Sequence, residues 1–167
     1  MKKFVPVIVA LCFPVFAFCQ DITGLWKGTM YNDSTQQSLE YEVVINKEKG
    51  KYSAFSHTTY IIDGKKYFGI KKINVRIAKD GKIVMQDAAI VEHNYPVNPQ
   101  RNVLQLNVLD LESQENLEGL FVTNSSREFK SLTGHIKIKK VSQITGEKNL
   151  LTYFRRPLPD NDVTALN

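Results

Sequence analysis

Apolar and polar residues alternate with a period of two along most of this chain, which is the pattern of strands with one buried face. Ile22–Tyr31 places Ile22, Gly24, Trp26, Gly28 and Met30 on one side. Leu39–Asn46 sets Leu39, Tyr41, Val43 and Ile45 against Glu40 and Glu42. Tyr52–Ile62 is β-branched and aromatic, and Tyr67–Ala78 sets Ile73, Val75 and Ile77 against Asn74 and Arg76. Lys82–Tyr95 follows, and Arg101–Leu111 sets Leu104, Leu106 and Val108 against Gln105 and Asn107. Leu117–Thr123 is short, and Leu132–Val141 sets Ile136 and Ile138 against Lys137 and Lys139. Turn signals separate the runs, with Asp63-Gly64 and Asp80-Gly81 as hairpin pairs. Eight such strands predict an all-β domain, an eight-stranded antiparallel up-and-down barrel, with a β-sandwich as the alternative. Closure is favoured because an open meander leaves two unpaired edges.

Trp26, the one tryptophan of the chain, sits between two glycines on its own face. Glycine inside a strand marks a bend or a close backbone approach. Trp26, Gly24 and Gly28 are therefore expected to plug one end of the barrel, where the first strand curves beneath the sheet. Gly24-Leu25-Trp26 resembles the Gly-x-Trp signature of the calycin superfamily, which includes lipocalins and fatty-acid-binding proteins. Ile22-Thr23-Gly24 followed by Trp26 is similar to the opening strand of avidin-like proteins. The resemblance implies a lipocalin-like barrel with a ligand in its lumen. It stops short of biotin, because avidin-like proteins line that site with several tryptophans. A lipocalin-like arginine on the last strand is also replaced, with Lys137 or Lys139 as the substitutes.

Composition then fixes the compartment. Met1-Lys2-Lys3 is a positive start, Phe4–Phe18 is uncharged and apolar, and Ala17-Phe18-Cys19 places small residues before Gln20. Residues 1–19 read as a bacterial-type secretory signal peptide, and the protein as periplasmic or secreted. The apolar run is shorter than the roughly 18 residues a membrane span needs, so no transmembrane segment is expected after cleavage. Lipid attachment at Cys19 is the alternative. Both cysteines, Cys12 and Cys19, precede the cut, which leaves the mature chain without disulfide or thiolate chemistry. Residues 20–141 form the barrel domain. Residues 142–167 are expected to form a short C-terminal helix or tail, with Glu147–Arg156 helical before Pro157 and Leu150, Leu151, Tyr153 and Phe154 packed on the barrel exterior.

Removing Lys2 and Lys3 lowers the net charge from +5 to +3, and the remaining cations are scattered among acids. Nucleic-acid binding needs a clustered basic face, so no nucleic-acid partner is expected. Catalytic candidates are sparse. Ser56-His57 and Asp87 with His93 are conceivable hydrolytic pairs, and Asp110 with Glu112 a carboxylate pair. His57, His93 and His135 lack metal-ligand spacing. No catalytic residue, metal or cofactor is assigned.

Phe55–Tyr60 and Glu92–Pro96 carry more polar and aromatic groups than a fold needs. Tyr41, His57, Tyr60, His93, Tyr95 and Arg101 are the expected ligand-binding residues, with Arg101 meeting an acidic head group and the tyrosines its apolar part. The expected function is an exported barrel that binds a small, partly apolar or acidic ligand without catalysis. The alternative is a filled barrel serving as an envelope-associated protein-interaction module.

Overall fold

The computed structural model describes residues 21–96, 103–127, 129–141 and 150. Its eight strands are β1 (Gly24–Asn32), β2 (Gln37–Glu48), β3 (Lys51–Ile62), β4 (Lys65–Ile77), β5 (Ile83–His93), β6 (Gln105–Ser113), β7 (Asn116–Thr123) and β8 (Thr133–Val141). Each pairs antiparallel with its neighbours in sequence, and β1 also pairs with β8. The sheet therefore closes into an up-and-down barrel, and the sandwich alternative is set aside. Asp63-Gly64 and Lys49-Gly50 connect their hairpins with positive φ at both residues (49° and 72°, 49° and 81°). That conformation matches the strand twist of a two-residue turn.

The up-and-down course gathers the starts of the odd strands and the ends of the even strands at one end of the barrel. There the inward faces supply Trp26, Val43, Ile45, Ala54, Val75, Ile83, Leu109, Leu117 and Ile138, all buried in one apolar cluster with Ile22. The Trp26 indole N–H donates to the Ile22 carbonyl oxygen at 3.0 Å, so the chain entering β1 folds under the ring. Lys140 Nζ lies 5.5 Å from the ring centroid and donates to the Asp21 carbonyl oxygen at 3.3 Å. The cation over the ring is thus Lys140, and not the expected Lys137 or Lys139. Those two alternate outward, as the period of two demands, and both are exposed.

Gly28 shows why the ring has glycine beside it. A Cβ there would run into the Lys137 carbonyl oxygen and lie 2.9 Å from the Ile138 Cα, across the β1–β8 seam. Gly28→Ala must push that seam apart and is expected to cost about 2 kcal/mol or more. Chemical denaturation would measure it, and an unchanged midpoint would contradict the close approach.

One face was assigned the wrong way round by the alternation. In β6 the inward residues are Gln105, Asn107, Leu109 and Leu111, whereas Leu106 and Val108 point out. Asn107 opposes Met85 and Phe121, both core residues. Its amide is tolerated inside because it is hydrogen-bonded on both sides (below). The outward Leu106 and Val108 join Val84, Leu120 and Val122 in an external apolar strip, in which Leu120 is 57% and Val122 40% exposed. Ile77 also departs from expectation, being 37% exposed at the end of β4.

A second apolar cluster lies on the outer face of β1–β4. Leu25, Val44, Phe55 and Ile70 pack there with Phe68, Val91 and Val141, and Leu150 covers them at 2% exposure. The expected exterior packing of the tail is thus seen at Leu150. The Glu147–Arg156 helix and Leu151, Tyr153 and Phe154 lie outside the described residues.

Candidate ligand-binding lumen

The opposite end of the barrel collects the ends of odd strands and the starts of even ones, and its two walls differ in chemistry. Met30, Leu39, Phe121 and Ile136 from β1, β2, β7 and β8 make an apolar wall. From β2 to β6 come Tyr41, Ser56, Thr58, Tyr60, Tyr67, Lys71, Asp87, His93, Gln105 and Asn107, inward by register with one another. Polar side chains inside a barrel are costly unless paired, and here they are paired. Asn107 Nδ2 donates to the Tyr41 hydroxyl at 3.2 Å, and Gln105 Nε2 donates to Asn107 Oδ1 at 2.7 Å. Lys71 Nζ meets Asp87 Oδ2 at 2.5 Å, with the lysine side chain 22% and the carboxylate 7% exposed.

Asp87 has a second task. β5 pairs with β6 only from Ile83 to Gln86. The ladder stops at Asp87, whose Oδ2 takes the Gln105 backbone N–H at 3.2 Å in place of a strand carbonyl. Two register shifts between β4 and β5, at Ile70/Lys71 and Lys72/Ile73, bend β5 at the same level. The upper half of β5 therefore leans on β4 alone, and the polar wall is built where the sheet parts.

Above this network stands a rim of half-buried rings. Tyr60 lies 5.8 Å from Tyr67 and 5.6 Å from Tyr95 between ring centroids, and His93 stacks on Tyr95 at 5.0 Å. Asn94 sets this up by acting as an extra rung on β4. Its Oδ1 accepts the Phe68 N–H at 2.7 Å and its Nδ2 donates to the Lys66 carbonyl at 3.2 Å. The next residue, Tyr95, is thereby turned inward over Gly69, where a side chain would occupy the place of its hydroxyl.

Burial pushes the Tyr95 phenol up to about 12, with the Tyr60 ring and the Asp87 charge adding to it. Burial likewise raises the Tyr41 phenol, again with Asp87 contributing. A raised tyrosine pKa means that the folded chain keeps its proton where the unfolded chain, at about 10, loses it. The stability from Tyr95 is fully present below about pH 10 and is lost as pH rises through about 12. Tyrosine ring NMR is expected to show more than one late-titrating ring, of which Tyr95→Phe removes the step near 12. Gly69→Ala, which displaces the hydroxyl, should return the step toward 10. A Tyr95 that titrates with the exposed tyrosines would contradict its inward position.

Of the expected ligand residues, Tyr41, Tyr60, His93 and Tyr95 converge on this end. His57 does not. It points outward from β3, with Nδ1 3.9 Å from Glu42 Oε2 and its ring edge-on to Phe68 at 5.8 Å. The neighbouring His57 imidazole, then Lys27 at 2.8 Å, hold the Glu42 carboxyl below its ordinary range against the opposing effect of burial. Arg101 lies outside the described residues. Lys71, Gln105 and Asn107 were not anticipated, and Asp87 only as a hydrolytic partner of His93; the signal for Lys71, Asp87 and Asn107 was a polar residue at an inward position of a strand, two residues from a core side chain.

The conceivable catalytic pairs come apart. Ser56 faces in and His57 out, Asp87 is held by Lys71 rather than by His93, and Asp110, exposed on the outer face with Glu112, is bound by Lys82 at 2.7 and 2.8 Å. His135 faces outward from β8 beside Asp33 at 3.9 Å and His57 outward from β3, while His93 faces inward, so the three histidines do not converge. Among the described residues no group of three His, Cys, Asp or Glu side chains is placed to hold a metal ion.

The architecture defines this chain as a closed eight-stranded antiparallel β-barrel. No protein-family profile and no curated protein matches the sequence. Among solved structures it is similar to a redesigned β-barrel, at 19% identity and a TM-score of 0.43, with 72% of this chain and 91% of that one covered.

Proposed function

We propose that this protein is an exported barrel that binds a small, partly apolar ligand at the open, two-walled end of its lumen, without catalysis. One observation carries the reading. The inward face is sealed by apolar side chains around Trp26 at one end, while the other combines an apolar wall, paired polar groups and a rim of half-buried rings. A barrel that only had to fill itself would gain more from apolar residues at those positions. Convergent polar groups in an apolar surround are what a small-molecule site requires. Export rests on residues 1–19. Kinship with calycin barrels is part of the same proposal, supported by Gly24-Leu25-Trp26 at the closed end and Lys140 over the indole.

Native mass spectrometry of the mature chain, purified without detergent from the cells that export it, tests this. The expected spectrum shows an excess of a few hundred daltons that disappears on denaturation, on a chain that starts at Gln20. A bare chain that also takes up no small aromatic probe would overturn the ligand reading, and a lipid on Cys19 the export form. The second reading, an interaction module, is favoured by the external strip of Leu106, Val108, Leu120 and Val122. It predicts a co-purifying protein lost on Leu120→Lys.

A further inference from the structure

The charges and rings at the polar end narrow the kind of ligand. Lys71 is the cation that an acidic ligand would seek, yet Asp87 already lies against it at 2.5 Å and is itself nearly closed off from solvent. Asp87 is fixed from a second side by the Gln105 N–H at 3.2 Å, so it cannot swing away without opening the β5–β6 junction. An incoming anion would be desolvated beside a carboxylate whose partner is taken. Among the described residues, the other inward polar groups besides His93 are neutral: the Tyr41 hydroxyl, the Asn107 amide and the Gln105 amide, linked at 3.2 and 2.7 Å, with the Ser56 and Thr58 hydroxyls. Tyr60, Tyr67, Tyr95 and His93 offer ring faces and edges with centroids 5.0–5.8 Å apart. Such rings receive flat apolar rings by offset stacking or edge-on contact.

We propose that the lumen takes an uncharged ligand built on a flat ring, with a hydrogen-bonding heteroatom toward Gln105, the half-buried end of the chain that runs through Asn107 to the buried Tyr41 hydroxyl, and that the Lys71–Asp87 pair makes it reject acidic relatives of that ligand. The proposal rests on the lumen reading above and replaces the acidic head group expected for Arg101.

Two fluorescent probes share one aryl framework and differ by a sulfonate: N-phenyl-1-naphthylamine, which is uncharged, and 1-anilinonaphthalene-8-sulfonate. Titrated into the mature chain, the uncharged probe is expected to bind at least tenfold more tightly. Because it is also the more apolar of the two, the deciding arm is Asp87→Asn, which keeps an acceptor for Gln105 but leaves Lys71 uncompensated. In that variant the anionic probe is expected to gain about tenfold relative to the uncharged one. Lys71→Gln should move the ratio the opposite way, and it decides the matter if Asp87→Asn does not fold. Equal or reversed preference in the wild type overturns the charge selectivity while leaving the lumen site intact. An unchanged ratio in folded variants overturns it as well. If neither probe binds, the lumen reading itself fails, and this proposal with it.

Discussion

Trp26→Ala is expected to lower stability by about 3–5 kcal/mol, the range for truncating a buried aromatic side chain. For a domain of this size that corresponds to a fall in Tm of roughly 10 °C. The ring is fully buried and touches the inward faces of the strand ends that close the barrel. Its removal leaves a cavity that Gly24 and Gly28 cannot fill, and frees the Ile22 carbonyl and Lys140 from their partner. Trp26→Phe keeps most of the volume and loses the 3.0 Å hydrogen bond, so it should cost less than half as much. Thermal unfolding followed by circular dichroism reads both variants. A Tm unchanged in Trp26→Ala would remove the closed end from the account.

The second large effect lies at the Lys71–Asp87 pair. Lys71→Met leaves a carboxylate that is 7% exposed with no cation beside it. Stripping one partner from a buried pair costs about 3–5 kcal/mol, and the partial exposure of Lys71 places this one toward the lower end. Asp87→Asn should cost distinctly less, about 1 kcal/mol. The asparagine still accepts from Gln105, and the flexible lysine, 22% exposed, can reach water. The order of the two variants in a denaturation experiment checks the geometry. Equal losses, or a heavier loss from Asp87→Asn, would mean that the carboxylate is better solvated than the structure has it.

The barrel was legible because its strands obey one rule. Where a strand has one apolar face, as in Leu39–Ile45 or Ile136–Ile138, alternation gives the inward side directly. It misled in β6, where Leu106, Val108, Leu109 and Leu111 put apolar residues on both faces. There the deciding fact is a long-range one, the Tyr41 hydroxyl waiting for Asn107 from a strand 66 positions away. His57 was misplaced for a related reason. Sequence shows that a segment is rich in polar rings, yet the face depends on the pairing of His57 with Glu42 and Ile70 across its neighbours. Lys71 was hidden because it looks like an ordinary surface charge, and Asp87 suggests only a partner for His93. The long-range pairing of Asp87 with Ile73, two residues from Lys71 on the same inward face, is what puts them within reach of each other.

The three histidines provide the most direct test of the central claim, because they report on three different surfaces. His93 stands at the rim of the lumen, His57 on the outer face of β3, and His135 on the outer face of β8 beside Asp33. Their ring resonances, followed by NMR while N-phenyl-1-naphthylamine is added, should separate cleanly. A lumen site moves the His93 signals in a saturable way and leaves those of His57 and His135 in place. Shifts confined to His57 or His135 would put the ligand on the outside of the barrel and contradict the account.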